Sequence, residues 1–263
     1  MRVVCCQLNI VWEDKPANYA RVRSMLEGKK FPEGTLVILP EMAVTGFSMN
    51  VARVCEGEPS ETEAFFASCA KNYGVHILGG LVSAGPHDRG RNEAVVFSPD
   101  GKLLARYAKI HPFTLGGESR HYAAGNQIVS FSWNGCTVTP FICYDLRFPE
   151  IFRMAVRNGA EIFIVIASWP IKRVQHWVTL LQARAIENLA YVIGVNRAGA
   201  DPNFVYPGRS LIIDPHGAIV ADAGASEGMI EAELDGAEVQ RWRKEFPALK
   251  DIHAEFIGRT DGV

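Results

Sequence analysis

The apolar run Thr137-Val-Thr-Pro-Phe-Ile-Cys143 ends on a cysteine and passes directly into Tyr144-Asp-Leu-Arg-Phe-Pro-Glu150, which opens a helix pattern. We therefore predict a strand that breaks into a helix at Cys143. Such a junction presents the side chain on a sharp turn, with the backbone N–H groups of the helix start close by. A nucleophile is favoured at this position, and Cys143 is the candidate.

Two other apolar runs stop in the same abrupt way. Thr35-Leu-Val-Ile-Leu-Pro40 is followed by Glu41, and Leu103-Leu-Ala-Arg-Tyr-Ala108 is followed by Lys109. A free thiol with a pKa of ~8.5 is mostly protonated at neutral pH, so a nucleophilic cysteine needs a base or a cation beside it. Glu41 is the candidate base, and Lys109 is the candidate cation.

The composition predicts one domain spanning residues 1–263. Hydrophobic residues make up 48% of the chain, and no Pro/Ser/Gly tract or charge block separates one part from another. Layered α/β proteins often reach about 250 residues as a single unit. The six cysteines include no C-x-x-C pair, so we interpret them as reduced thiols and not as a disulfide framework.

Charge and hydropathy exclude two classes of partner. The formal net charge is −2 and no stretch concentrates Lys and Arg, so we expect no nucleic-acid partner. The N-terminal apolar run is too short for a signal peptide, and no segment reaches the ~18 apolar residues of a membrane span. We therefore expect no membrane association and a cytoplasmic location.

The order of elements predicts an α/β fold. Strands and helices alternate early in the chain, and hairpins recur later. Ser98-Pro-Asp-Gly101 and Asp214-Pro-His-Gly217 each separate two runs rich in β-forming residues, as hairpin turns do, and their similarity suggests an internal pseudo-repeat. The sheet should therefore be mixed. Helices are predicted near residues 16–27, 149–158 and 174–188, and after the capping box at residues 60–63.

The three strand ends lie within Leu39-Pro-Glu-Met-Ala-Val-Thr-Gly-Phe47, Tyr107-Ala-Lys-Ile-His-Pro-Phe113 and Phe141-Ile-Cys-Tyr-Asp-Leu-Arg-Phe-Pro-Glu150. In order and spacing they resemble the Glu–Lys–Cys motifs of the nitrilase superfamily of carbon–nitrogen hydrolases. A fourth block, from Ala167-Ser-Trp-Pro170 to Gly194-Val-Asn-Arg197, resembles the bacterial omega-amidase branch. The resemblance covers nearly the whole chain. It implies a four-layer α-β-β-α sandwich with two mixed sheets.

The resemblance also implies a mechanism that uses no metal and no cofactor. Glu41 would take the thiol proton, protonate the departing amine and then activate the water that cleaves the thioester. Lys109 would stabilise the oxyanion together with the backbone N–H of Tyr144, an arrangement worth ~3–4 kcal/mol per donor. Glu118 matches a second glutamate that the family keeps near the lysine. Its alternative interpretation is a solvated loop acid.

Three side chains are candidates for substrate binding. Arg147 lies four residues beyond the nucleophile, where its guanidinium can fork onto a substrate carboxylate, and a purely structural role remains an equal alternative. Tyr144 and Trp169 are candidates for the pocket lining, although aromatic residues in such positions are often plain packing.

Other polar residues in these blocks have structural interpretations. Asp145, Arg184 and Glu187 are expected to form buried ion pairs, because a charge in an apolar layer must be matched. A Cys–His mechanism is the main rival to Glu–Lys–Cys. The histidines that fall in or near the matched blocks are His111, His121 and His176. We interpret His111 as a hydrogen-bonded supporting or core residue.

The function implied by the resemblance is hydrolysis of a small omega-monoamide of a dicarboxylic acid, such as 2-oxoglutaramate or 2-oxosuccinamate, with release of ammonia. The alternatives are an N-carbamoyl amino-acid amidohydrolase, another aliphatic amidase, a nitrilase, or a thiol-sensing or binding protein on the same fold. Family members generally pair through a helical face, so a homodimer or higher homo-oligomer is expected, with the helices near residues 149–158 and 174–188 as candidates for the interface.

Overall fold

The computed structural model describes residues 1–253 and 255, and its main elements are two six-stranded sheets and seven α-helices among those residues. The strands are β1 Arg2–Gln7, β2 Leu36–Ile38, β3 His76–Ala84, β4 Gly90–Phe97, β5 Leu103–Ala108, β6 Phe131–Trp133, β7 Cys136–Ile142, β8 Ile162–Ala167, β9 Tyr191–Asn196, β10 Ala198–Ala200, β11 Val205–Pro207, β12 Leu211–Ile213, β13 Ile219–Asp222 and β14 Gly228–Glu233. The helices are α1 Lys15–Leu26, α2 Val51–Val54, α3 Glu61–Tyr73, α4 Glu118–His121, α5 Pro149–Arg157, α6 Val174–Asn188 and α7 Gly236–Glu245.

Both sheets are mixed, as predicted. The first has the order β14-β1-β2-β3-β4-β5, in which β1, β2 and β3 are parallel and the other pairs are antiparallel. The second has the order β13-β12-β9-β8-β7-β6, in which β7, β8 and β9 are parallel. The two predicted hairpin turns join β4 to β5 and β12 to β13. Each sheet thus continues from three parallel strands into an antiparallel hairpin, which agrees with a pseudo-repeat.

The four-layer sandwich follows from the alternation of side chains along the strands. In β1, Val3 and Cys5 join the core that contains residues of both sheets, whereas Val4 and Cys6 pack with α1 and α3. Helices α5 and α6 contribute buried residues to the core of the second sheet. Full burial of such aliphatic side chains stabilises the fold by roughly 1.5–3 kcal/mol each. The layer order is therefore helices, sheet, sheet, helices.

Strand direction brings the predicted site residues to one edge of each sheet. Because β3, β4 and β5 are successively antiparallel, β5 runs in the same direction as β2, and Glu41 and Lys109 follow the carboxyl ends of these strands. The start of β4, which contains Asn92, lies at the same edge. Cys143 and Ser168 directly follow the ends of the parallel strands β7 and β8. Among the described residues, no helix is both long and apolar enough to cross a membrane.

Candidate active site

The thiol of Cys143 lies on a strained turn. Strand β7 ends at Ile142, and Cys143 has a φ of 48°, in the left-handed region that L residues rarely adopt. Such a backbone conformation costs of order 1–3 kcal/mol and is typical of functional turns. The predicted strand end is therefore confirmed. The helix that follows is a short 3₁₀ helix, Cys143–Arg147, and the α-helix begins only at Pro149.

The predicted ion pair of Arg184 with Glu187 forms, with Glu187 half-buried, whereas the one ionisable partner of Asp145 within the described residues is the His111 ring. Arg184 and Glu187 are paired at 2.9 Å. Asp145 pairs with no Lys or Arg in the described part of the chain. It accepts hydrogen bonds from the Tyr107 hydroxyl at 2.7 Å and from the backbone N–H of His111 at 2.9 Å, and it also contacts the His111 ring. A hydroxyl and a backbone N–H thus donate to this carboxylate beside the imidazole ring, and the carboxylate anchors the turn that bears the thiol.

The histidines do not form a pair with the thiol. His111 Nδ1 lies 2.9 Å from Asp145 Oδ1, in agreement with a supporting role. His176 Nδ1 lies 3.2 Å from an Arg147 nitrogen, so the ring nitrogen accepts and the guanidinium donates. Within residues 1–253 and 255, no histidine is hydrogen-bonded to Cys143. The geometry gives a Cys–His mechanism no support.

Glu41, Lys109 and Glu118 form a buried charge cluster in which no side chain is more than 1% exposed. Lys109 Nζ lies 2.9 Å from Glu41 Oε1 and 2.8 Å from Glu118 Oε2. The interpretation of Glu118 as a solvated loop acid is therefore wrong. When both carboxylates are ionised, the cluster carries a net negative charge inside the protein, and the remaining hydrogen-bond donors around it stabilise that charge.

Three donors complete the cluster, and the sequence patterns pointed to none of them. The Asn92 side-chain amide donates to Glu41 Oε1 at 2.7 Å and to Glu118 Oε1 at 2.9 Å. The backbone N–H of Ser168 donates to Glu41 Oε2 at 2.8 Å, and that of Phe113 donates to Glu118 Oε2 at 2.6 Å. The carboxylates are thereby fixed in position.

Backbone geometry next to Glu41 also depends on a glycine. A Cβ added to Gly80 in β3 would lie 2.5 Å from the Met42 nitrogen and 2.7 Å from the Glu41 Cα. The strand can therefore approach the loop that bears Glu41 only because residue 80 has no side chain. Met42, with a φ of 46°, turns the chain directly after the carboxylate.

The surroundings raise the pKa values of both Lys109 and Cys143, which leaves the lysine charged and the thiol neutral. Burial alone lowers the pKa of Lys109, but the charges of Glu118 and Glu41 outweigh burial and hold that pKa well above its usual value. Lys109 is thus a permanent cation and hydrogen-bond donor. Burial, together with the Glu41 charge, raises the pKa of the Cys143 thiol well above its usual value. Its resting form is the neutral thiol, so its proton must leave as it attacks.

A small pocket opens over Cys143. Its free volume is about 30 Å³. Tyr144, Arg147 and Trp169 lie in the lining, with the Arg147 guanidinium carbon 4.8 Å from the centre of a Trp169 ring. Their role toward a substrate stays a prediction. The remaining lining residues are Phe47, Phe113, Ser168, Pro170, Arg173 and Phe204.

The other five cysteines lie outside this pocket. All six cysteines are free. Burial raises the pKa of Cys6 to about 12 and that of Cys69 to about 11. Among the described residues, no group of three or more His, Cys, Asp or Glu side chains has the arrangement of a metal site.

Comparison with known proteins decides the family. Residues 2–244 match the family model described as carbon-nitrogen hydrolase. The chain belongs to the carbon-nitrogen hydrolase family. This carbon-nitrogen hydrolase is 38% identical over 256 residues to omega-amidase YafV of Yersinia enterocolitica, covering 95% of this chain and 96% of that protein. It is 32% identical over 254 residues to the 2-oxoglutaramate amidase of Bacillus subtilis, covering 96% and 98% respectively.

Solved structures agree with the fold. A CN-hydrolase superfamily protein from Xanthomonas campestris, with an arsenic adduct in its active site, superimposes with a TM-score of 0.90 at 33% identity over 97% of each chain. Nit3 of Saccharomyces cerevisiae, a member of branch 10 of the nitrilase superfamily, gives a TM-score of 0.83 at 29% identity over 94% of each chain. The expectation of a nitrilase-like sandwich is confirmed.

Proposed function

We propose that this carbon-nitrogen hydrolase cleaves the amide bond of small omega-monoamides of dicarboxylic acids, such as 2-oxoglutaramate and 2-oxosuccinamate. The observation that carries the chemistry is the buried cluster of Glu41, Lys109 and Glu118 beside a cysteine held on a strained turn. The substrate class is supported by the names of the full-length relatives, omega-amidase and 2-oxoglutaramate amidase.

In the proposed acylation step, Glu41 accepts the thiol proton while the Cys143 sulfur attacks the amide carbon. The carbonyl oxygen becomes an oxyanion, which accepts hydrogen bonds from Lys109 and from the backbone N–H of Tyr144. Glu41 then gives its proton to the amide nitrogen. The C–N bond breaks, ammonia leaves and a thioester remains on the sulfur.

In the proposed deacylation step, Glu41 removes a proton from a water molecule as the water oxygen attacks the thioester carbon. The C–S bond breaks, the dicarboxylic acid departs and the proton returns to Cys143. Glu118 holds Lys109 in place and keeps it charged through both steps. Lys109 itself is a poor nucleophile, because its raised pKa leaves it protonated at neutral pH.

Arg147 is the proposed binding residue for the free carboxylate of the substrate. It lines the pocket, and its guanidinium carbon lies 5.9 Å from the Tyr144 ring centre as well as close to Trp169. Aromatic contacts hold the planar guanidinium in one orientation, and a planar fork is suited to bidentate contact with a carboxylate.

The test is a panel of small substrates assayed for ammonia release. We expect the highest kcat/KM for omega-monoamides that carry a free carboxylate. A preference for neutral aliphatic amides, for N-carbamoyl amino acids or for nitriles would refute the substrate class and assign the corresponding alternative. Rapid alkylation of Cys143 without turnover of any member of the panel would favour a thiol-sensing or binding protein.

We further propose that the protein is cytoplasmic and acts as a homodimer or higher homo-oligomer, with α5 and α6 as the candidate interface. Light scattering at micromolar protein concentration tests the assembly. We expect at least the mass of a dimer, and a monomer would refute the proposal.

A further inference from the structure

Two guanidinium groups line the pocket without an acidic partner. Arg173 is the last residue of the short 3₁₀ helix Ile171–Arg173, and its guanidinium carbon lies 5.4 Å from the centre of the Phe113 ring. Arg147 contacts aromatic rings and a histidine nitrogen. In the part of the chain that the structure describes, no carboxylate lies within ion-pair distance of Arg147 or of Arg173.

Several other half-buried arginines are neutralised by an acidic partner, although Arg243 donates only to backbone oxygens. Arg106 pairs with two glutamates, Arg209 pairs with Asp222, and Arg21 pairs with Glu227. The two pocket arginines instead repel each other, and burial followed by the charge of Arg173 lowers the pKa of Arg147. Two like charges that line one small pocket are costly unless an anion lies near both of them.

One residue supports both arginines. The Trp169 ring packs against Arg147, and the Trp169 indole N–H donates a hydrogen bond of 2.7 Å to the backbone oxygen of Arg173. The backbone of Arg173 is thereby fixed to the same pocket wall that orients Arg147. The Arg173 guanidinium itself packs against the Phe113 ring, so both guanidinium groups lie against aromatic side chains of the pocket.

We propose that Arg173 binds the free carboxylate of the substrate together with Arg147 and sets the preference for monoamides of short dicarboxylic acids over neutral amides. This inference rests on the proposed amidase function. Two guanidinium groups supply more donors than one carboxylate needs, so a 2-oxo oxygen beside the carboxylate also finds a donor. The pair therefore favours 2-oxo acid monoamides.

The first experiment compares Arg173→Gln with Lys172→Gln. The two variants remove the same charge from adjacent residues, but Lys172 is exposed and does not line the pocket. For Arg173→Gln we expect kcat/KM to fall about 10- to 100-fold with a carboxylate-bearing monoamide, mainly through KM, and to change less than about 3-fold with a neutral amide of equal length. Lys172→Gln should match the wild type with both substrates, and Arg173→Lys should lie between.

A double-mutant cycle tests whether both arginines act on one carboxylate. If they share it, the loss in the Arg147→Gln/Arg173→Gln variant is smaller than the product of the two single losses, because the second substitution removes part of an interaction that is already broken. Independent losses that simply multiply would contradict a shared carboxylate.

Binding without turnover separates this inference from the proposed function. A dicarboxylic acid product such as 2-oxoglutarate should protect the wild-type Cys143 from alkylation, and Arg173→Gln should need a roughly 10- to 100-fold higher concentration for the same protection. If the wild type hydrolyses carboxylate-bearing monoamides but Arg173→Gln loses nothing, or loses equally on neutral amides, the inference fails and the function stands. If the wild type prefers neutral amides and dicarboxylates give no protection, both fail.

Discussion

Replacing Lys109 with methionine separates the structural role of the buried cluster from its catalytic role. Methionine is close to lysine in length but carries no charge, so Lys109→Met leaves Glu41 and Glu118 buried next to each other without a counter-ion. With both carboxylates ionised, the net charge of the cluster changes from −1 to −2. Both Tm and kcat should fall, for different reasons.

The expected magnitudes follow from burial. Removing one partner of a buried ion pair costs about 3–5 kcal/mol, a large part of a total stability of roughly 5–15 kcal/mol. For a chain of this size, about 2–4 °C in Tm accompanies each kcal/mol, so Tm should fall by about 6–20 °C. Loss of the donor to the oxyanion should lower kcat by about 10²–10³-fold.

The double variant Lys109→Met/Glu118→Gln is the control. It restores the cluster charge to −1, so most of the lost stability should return, whereas kcat should stay low because the cationic donor is still absent. Thermal unfolding followed by circular dichroism gives Tm, and ammonia release gives kcat. The reasoning is refuted if Lys109→Met unfolds within about 1 °C of the wild type, or if the double variant regains activity along with stability.

The pH dependence of Lys109→Met has a definite sign. Burial raises the pKa of Glu118, and loss of the Lys109 charge raises it further. A carboxyl group whose pKa is higher in the folded state stabilises the fold below its unfolded pKa of about 4.3, and this contribution is lost as the pH rises through the folded pKa. The stability deficit of the variant should therefore widen from pH 5 to pH 8 in urea titrations.

Three further predictions concern the thiol, the amide that bridges the carboxylates, and metals. Burial and the Glu41 charge both raise the pKa of Cys143, so the thiolate absorbance at 240 nm, taken as wild type minus Cys143→Ala, should be absent up to about pH 9. In Glu41→Gln the thiolate absorbance should begin at a lower pH. A thiolate at pH 7 in the wild type would contradict this prediction. Asn92→Leu removes hydrogen-bond donors from both carboxylates and should shift the acidic limb of the kcat/KM pH profile to higher pH by about one unit. The control Asn188→Leu removes an equally buried amide from α6 and should leave the pH profile unchanged. EDTA should leave activity unchanged, and inhibition that zinc reverses would overturn the metal-free mechanism.

The sequence was informative where chemistry coincides with the end of a strand. Glu41, Lys109 and Cys143 each follow an apolar run, and strand direction alone then brings strand ends to a common edge. Glu118 was different, because its position in a loop before a four-residue helix has no periodic signal. Only the resemblance to a known family pointed to it, and burial beside Lys109 shows where the fold places it.

Sequence patterns could not predict contacts between segments that are distant in the chain. Asn92 is a polar residue near the start of a strand, and nothing local indicates that its amide faces two carboxylates that are 51 and 26 residues away. Phe204 reaches the pocket from the loop between β10 and β11. Asp145 was expected to need a cationic partner, but a hydroxyl and backbone N–H groups donate to it beside the His111 ring, and local sequence does not specify such donors.

The most direct test of the central claim is the mass of the enzyme during turnover. An omega-monoamide mixed with the wild type and quenched in acid within milliseconds should give a transient adduct equal to the substrate minus ammonia, located by peptide mass spectrometry on Cys143. The adduct should be absent in Cys143→Ala, which should remain folded and release no ammonia. An adduct on another residue, or ammonia release by Cys143→Ala at the wild-type rate, would contradict a Glu–Lys–Cys thioester mechanism.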